Sequence, residues 1–311
     1  MMMKNQTSFT WFILLGLTED ETLKIPLFVL FFMVYIITLL GNIGIITLII
    51  KSPRLHTPMY FLLSSLSFVD LFYSTIITPN MLANFLSTLH VITFLGCVTQ
   101  LFFFVALAST DALLLGVMAY DRYNAICNPL HYPVIMTRKV CVSLVAAACT
   151  VGSVNSLVNT GFIFRLKFCS DNLISHFYCD IPPLLKISCS DTTLNEVVLF
   201  TVAGCVEVGS LLSVLISYAY IIFAIIKIKS SAGRRKAFST CASHFVCVTM
   251  FYVPVLFMYL RPSSVYARDQ DKVASLFYTV ITPMLNPIIY SLRNKEVKRA
   301  LSTFPQKRCN V

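Results

Sequence analysis

Seven times along this chain, twenty or more residues pass with at most one charged side chain. Lys24 and Lys51 bracket 26 uncharged residues, and the last run, between Lys272 and Arg293, has 20. A helix needs about 20 apolar residues to cross a hydrocarbon layer of roughly 30 Å. Hydrocarbon offers the backbone no hydrogen-bond partners, so such a run must satisfy its own N–H and C=O groups as a helix. The other runs are Thr57 to Asn80, Val91 to Ala119, Lys139 to Arg165, Glu196 to Lys227 and Lys236 to Arg261. Charged residues are 12% of the chain, against about 25% in soluble domains. The expected fold class is therefore an all-α membrane protein, a seven-transmembrane helix bundle. Pro79-Asn80, Asn84 and Ser87-Thr88 mark a turn after the second run.

Lysine and arginine orient the bundle, because they concentrate in cytoplasmic loops. With the N-terminus outside, 16 of the 24 fall on the cytoplasmic side, together with only Asp121 and Glu296 of the acids. The layout is then an extracellular stretch 1–24, a membrane domain 25–292 with a long outer loop 161–196, and a cytoplasmic stretch 293–311. The net charge of +10 is spread over loops rather than one soluble face. Its expected partner is membrane lipid, with no nucleic acid. Asn5-Gln6-Thr7 is a glycosylation acceptor on the outer side. The run FTWFILLGL has a signal-like look, but no small-residue cleavage site follows, so it is read as retained. In RNKEVKRALSTF, Val297, Leu301 and Phe304 share one side and Lys295, Lys298 and Arg299 the other, which predicts a short amphipathic eighth helix on the inner leaflet. Lipidation of Cys309 has no positional signal and is not adopted.

Cys97, Cys169, Cys179 and Cys189 fall at or beyond the outer surface. Four cysteines in an oxidising compartment predict two disulfides, with three connectivities open. The eleven cysteines form no CxxC pair, and the chain has no nucleophile motif or glycine-rich phosphate loop. That points away from an enzyme and from a transition-metal cofactor.

Carboxyl groups inside a membrane are functional candidates, since each is costly when charged. Asp70 and Asp111 stand at similar depth in the second and third runs. They are read as sharing a proton or holding a cation such as sodium, in preference to neutral acids bonded to Asn42, Ser or Thr. Glu207 in the fifth run either faces a ligand cavity or is a neutral helix-contact residue; the second reading is preferred. Asn286-Pro287 with Tyr290 forms an NPxxY kink in the seventh run, and Pro254 gives a second hinge in the sixth.

The third run ends on MAYDRYNAICNPLHY, Met118 to Tyr132. This resembles the third-helix end of class A (rhodopsin-like) G protein-coupled receptors. Other motifs stand in order with it: Gly41-Asn42, LHTPMYFLLSSLSFVDL (Leu55 to Leu71), HFYCD (His176 to Asp180), Ser217-Tyr218, KAFSTCASH (Lys236 to His244) and PMLNPIIYSLRNKEVKRAL (Pro283 to Leu301). Together they cover almost the whole chain and resemble the vertebrate olfactory receptors.

The resemblance implies an odorant receptor that binds a small, volatile, mostly apolar molecule within the bundle. It further implies activation of a stimulatory, olfactory-type heterotrimeric G protein that raises cAMP, at the plasma membrane. Arg122, released from Asp121 beside Tyr123, would meet the G protein, with Tyr218 and Tyr290 moving in. His244 would lie at the inner end of helix six, which swings outward, while Asn286 and Pro287 kink helix seven. Cys97 would pair with Cys179, and Cys169 with Cys189. Asp70 and Asp111 match acidic positions thought to hold sodium.

The odorant pocket would lie between helices three, five, six and seven. Phe104, Val105, Ala108 and Ser109 share one face of helix three by their spacing. Val202 and Val206 would face them from helix five, Tyr252, Leu256 and Tyr259 from helix six, and Leu276 and Thr279 from helix seven. Ser109, Tyr252, Tyr259 and Thr279 would supply hydrogen bonds. Asn124 stands where relatives usually carry valine, and Glu207 where a neutral residue is usual. A pocket-facing Glu207 would favour an amine or hydrogen-bond donor. Two other readings stand beside this one: a transporter or channel, against which the halves show no inverted repeat, and the same receptor type serving as a chemosensor outside the nose.

Overall fold

The computed structural model describes residues 10–18, 20–87, 90–168, 172–259, 268–293 and 295–303. Among them, seven helices are long and apolar enough to cross a membrane. Helix one is Glu21–Lys51, helix two Pro58–Leu86, helix three Phe94–Cys127 and helix four Arg138–Ile163. Helix five spans Thr193–Lys227 and includes a π-helical turn at Leu199–Ala203. Helix six is Ser231–Tyr259. Helix seven carries the apolar span Gln270–Ser291, with a second π turn at Phe277–Ile281. Helix eight, Lys295–Thr303, follows it.

Two helices outrun the sequence expectation. Helix two passes through Pro79 to Leu86, so the turn expected at Pro79 to Ser87 begins only at the end of that stretch. A proline is tolerated inside a membrane helix because neighbouring groups re-satisfy the freed carbonyl. Asn84 is buried rather than exposed in a turn, and its Nδ2 donates to the carbonyl of Leu14 at 3.1 Å. Helix three likewise runs on to Cys127, so Asp121-Arg122-Tyr123 lies within the helix.

The span of helix three is 67% buried and that of helix one only 17%. Helix three is thus the central post, packed by helices two, four and five. Large apolar side chains on the outer helices face outward, Leu40, Ile50 and Phe223 among them. With hydrocarbon as solvent this is the favourable arrangement, and polar side chains turn inward. Close approach is set by small residues, as in membrane bundles generally. A Cβ added at Gly152 of helix four would lie 2.5 Å from Thr110 Oγ1 and 2.6 Å from the Ala106 carbonyl of helix three. One added at Gly41 would lie 2.9 Å from the Pro287 ring, where helices one and seven meet.

At the lid end the signal-like run becomes structure. Strand β1 (Trp11–Leu14) pairs antiparallel with β2 (Val91–Thr93) and parallel with β3 (Leu173–Ile174). Phe12 and Leu14 are buried beneath this small sheet. Cys97 at the top of helix three is disulfide-bonded to Cys179 in the long loop, with Cα atoms 5.6 Å apart. Gln100, one turn below, accepts the Cys179 N–H at 2.9 Å and donates to the Ile76 carbonyl of helix two at 3.1 Å. The loop therefore becomes a lid fixed to two helices. Cys189 is also disulfide-bonded; its expected partner Cys169 lies outside the described residues, as do Asn5, Phe304 and Cys309. In helix eight Val297 is buried and Leu301 half exposed, and the helix packs against the short turn Pro53–Leu55.

The Gly152 contact meets backbone and cannot be relieved by a rotamer change. Gly152→Val should destabilise by roughly 1–3 kcal/mol through overpacking and lower both surface level and melting temperature. Gly161→Val, at a site with nothing within 4 Å, should leave both unchanged.

Candidate ligand cavity and switch site

A cavity of ≈520 Å³ lies between the lid and helices three, five, six and seven. That is within the size range of small-molecule sites, which are mostly apolar with a few fixed polar groups. Helix three contributes Phe104, Val105, Ala108 and Ser109, the four residues expected to share a face. Helix six contributes Phe251, Val255 and Leu256, and helix seven Tyr278. Helix five presents Glu196, Leu199, Phe200, Ala203, Gly204, Glu207 and Val208. The lid adds Ile181, Pro182, Leu185 and Lys186, and helices two and four add Tyr73 and Asn155.

Several expected positions point elsewhere. Val202 and Val206 are partly buried outside the lining, one residue out of phase with Ala203 and Glu207. Tyr252 is fully engaged beneath the cavity: its hydroxyl lies 2.7 Å from Ser210 Oγ and donates to the Ala112 carbonyl at 3.2 Å. Thr279 is buried and donates to the Ser275 carbonyl at 2.7 Å. Leu276 packs on the core rather than the lining. The Tyr259 side chain lies outside the described residues. Glu207, read from sequence as a helix contact, instead lines the cavity.

Sequence reasoning missed Tyr73, Phe251, Tyr278, Asn155 and the lid residues. Phe251 and Tyr278 each precede an expected residue by one place, about 100° around a helix. Ile181 and Pro182 carried a legible signal, since they stand two and three places after Cys179, which the disulfide ties to helix three.

A polar network lies between lid and cavity. The Tyr278 and Tyr178 hydroxyls are 3.1 Å apart, and Tyr178 donates to Asp180 Oδ2 at 3.2 Å. His176 is buried against Phe177 and Tyr178, with Nε2 3.2 Å from Ser275 Oγ. Ser109 Oγ accepts from Asn155 Nδ2 at 2.8 Å, which leaves the serine proton for another partner.

Midway along the bundle, Asn286 Nδ2 donates to Asp70 Oδ2 at 2.9 Å. Asp70 Oδ1, Asp111 Oδ1, Asn42 Oδ1 and Asn286 Oδ1 are all buried without a hydrogen-bond partner. Four orphaned acceptors suit a species that brings positive charge or protons. No group of three or more His, Cys, Asp and Glu side chains that could hold a metal occurs among the described residues.

At the opposite end from the lid, Asp121 is held by Tyr132, whose hydroxyl donates to Oδ1 at 2.8 Å. Burial, then the neighbouring Asp121 charge, raises the Tyr132 phenol well above its usual range, so it keeps the proton it donates. Arg122 is buried and its guanidinium contacts the Met59 sulfur of helix two. The Tyr123 ring meets that of Tyr220 of helix five at a tilt of 55°, ring centroids 5.6 Å apart. His244 Nε2 lies 3.1 Å from the Leu115 carbonyl, and Nδ1 2.8 Å from the Tyr218 hydroxyl. A carbonyl only accepts, so Nε2 carries the proton, and the Tyr218 hydroxyl is shared between Nδ1 and the Cys241 carbonyl, 3.2 Å away. His244 thereby joins helices three, five and six. Tyr290 is buried on helix seven, three residues beyond Pro287.

A cavity under a tied lid, a seventh helix with Pro287 inside it and a buried Arg122 at the far end belong to a rhodopsin-like seven-helix fold. The fold is similar to that of squid rhodopsin, with a TM-score of 0.71 over 91% of this chain and 81% of that one, at 18% identity. The olfactory receptor family model matches residues 31–307. Olfactory receptor 5AR1 of Mus musculus is 52% identical over 297 residues, 96% of each chain. Olfactory receptor 5F1 of Homo sapiens is 54% identical over 299 residues, 96% of this chain and 95% of that one. The chain belongs to the olfactory receptor family, a family of signalling receptors and not of enzymes.

Burial, then the Lys272 ammonium, lowers His176 to about 3, against about 6.5 in an unfolded chain. Between those values the folded state binds fewer protons, so stability is complete above about pH 6.5 and is lost as pH falls toward 3, by roughly 1.4 kcal/mol per unit at most. The melting temperature of the solubilised protein should fall between pH 7 and pH 5, and less so in His176→Gln. An unchanged slope in that variant would contradict this role for His176.

Proposed function

We propose that this chain is an odorant receptor of the plasma membrane. It takes a small, volatile, mostly apolar molecule into the cavity between the lid and helices three, five, six and seven. It then activates a stimulatory, olfactory-type G protein and raises cAMP. The N-terminus lies outside the cell, where Asn5 is available for glycosylation, and residues 293–311 lie inside against lipid. The observation that carries the reading is a shared element: helix six lines the cavity with Phe251, Val255 and Leu256, and the same helix carries His244, bonded to Leu115 and Tyr218.

The mechanism is a shift in population between two packings of the bundle. A ligand moves that balance only by binding one packing better, and a tenfold preference is worth about 1.4 kcal/mol. A ligand against Phe251 and Leu256 bears on helix six directly. Its neighbour Tyr252 is bonded to Ser210 of helix five and Ala112 of helix three, so movement there is passed to the central post. Outward motion of the inner end of helix six breaks the His244 bonds and opens the surface around Arg122. Asp70, Asp111, Asn42 and Asn286 would hold a sodium ion in the resting packing; their orphaned oxygens are the support for this.

A cAMP reporter in cells expressing the chain, challenged with a broad odorant panel, tests the reading. Arg122→Ala should abolish the dose-dependent rise at equal surface level. Ligand-driven current or uptake without cAMP, unaffected by the substitution, would establish a transporter or channel instead. His244→Phe keeps an aromatic ring but loses both hydrogen bonds, at about 1 kcal/mol each. It should raise ligand-independent cAMP several-fold, and an unchanged basal level would refute the latch.

A further inference from the structure

We propose that the ligand of this cavity is an organic monoamine, whose ammonium group pairs with Glu207 while its hydrocarbon body fills the apolar remainder. This rests on the reading of the cavity as the odorant site and adds the chemical class of the ligand.

Glu207 is one of the residues that line the cavity. Its Oε2 is buried with no hydrogen-bond partner. The ion pairs found among the described residues are Lys24–Glu21 and Arg299–Glu296, so no described cation neutralises it. Lys186 lines the same cavity from the lid but makes no ion pair with Glu207 among the described residues.

The other polar side chains of the lining are differently placed. Ser109 is held by Asn155, Tyr278 by Tyr178, and Glu196 by Thr192, whose hydroxyl lies 3.1 Å from Oε1. Glu196 also stands eleven residues before Glu207, roughly 16 Å nearer the lid at 1.5 Å per residue. Glu207 is therefore the deep carboxyl group of the cavity, and it has been left for something the protein does not provide.

The chemistry narrows what that is. A carboxylate among apolar side chains needs a positive charge and a hydrogen bond together. An alcohol supplies the bond but no charge, whereas an ammonium supplies both in one charge-assisted contact. Phe104, Val105, Phe251, Val255 and Leu256 line the same cavity; they suit a hydrocarbon body and include two aromatic rings, which attract cations. One deep acid asks for one amine.

The test reads binding apart from signalling. The full-length solubilised receptor is melted with octylamine, cyclohexylamine, octan-1-ol, octanal or cyclohexanol, since a bound ligand raises the melting temperature. The amines should show at least tenfold higher apparent affinity than the matching alcohols. Glu207→Gln, which keeps the shape and removes the charge, should bring the amines down to the level of the alcohols and leave octan-1-ol within threefold. Glu207→Asp should retain part of the preference. Equal binding of amine and alcohol, no stabilisation by either amine, or an amine preference retained in Glu207→Gln would overturn the inference. cAMP is measured beside it. Amine-specific stabilisation without cAMP supports the inference and sinks the signalling reading. cAMP responses to the neutral compounds with no amine preference sink the inference and leave the signalling reading standing.

Discussion

Hydrocarbon cannot hydrogen-bond to a peptide, and the rest of this structure follows from that constraint. It forces the backbone into helices, and it favours polar side chains that turn inward to partners inside the bundle. Apolar residues carry little positional information here, because the lipid is as apolar as the core. Helices one and four can therefore expose large apolar side chains freely, while Gly41 and Gly152 fix where helix axes meet.

The polar interior supplies the specificity that apolar packing lacks. From the lid inward it runs through Asp180, Tyr178 and Tyr278, then Ser210 with Tyr252, then Asp70 with Asn286, and ends at Tyr218 with His244. Most links join different helices. Each is worth about 1 kcal/mol when made, and leaving a buried partner unpaired costs more. A bundle held this way has a small number of discrete packings, and a ligand of modest affinity is enough to choose between them. The orphaned oxygens around Asp70 and the Oε2 of Glu207 are among the places where that satisfaction is incomplete.

The seven helices were legible because each run is long, apolar and closed by charge. The run FTWFILLGL was harder: its residues suit a signal-like segment as well as a strand, and only the partners at Val91–Thr93 and Leu173–Ile174 decide for the strand. Pro79 reads as a stop, yet a packed bundle lets helix two continue to Leu86. In the cavity, spacing shows which residues share a face and not where the face points. Phe104, Val105, Ala108 and Ser109 share one face of the central helix, and that face lines the cavity. On helices five, six and seven the lining face is turned by one residue from the expected one: Ala203, Phe251 and Tyr278, not Val202, Tyr252 and Thr279, line the space. Glu207 announced itself as an intramembrane acid, but its direction is a property of the folded helix alone.

The central claim is that occupancy of the cavity is transmitted to the Arg122 surface by motion of helix six. The most direct measurement is a spin-label distance distribution between Phe238→Cys on helix six and Arg54→Cys beside helix two, both exposed positions, with the exposed Cys149 and Cys205 replaced by serine. It is recorded with and without a compound that raises cAMP. The account predicts a second population at longer distance, growing with ligand and already present in part without ligand in His244→Phe. A distribution unchanged by a ligand that raises cAMP would contradict it.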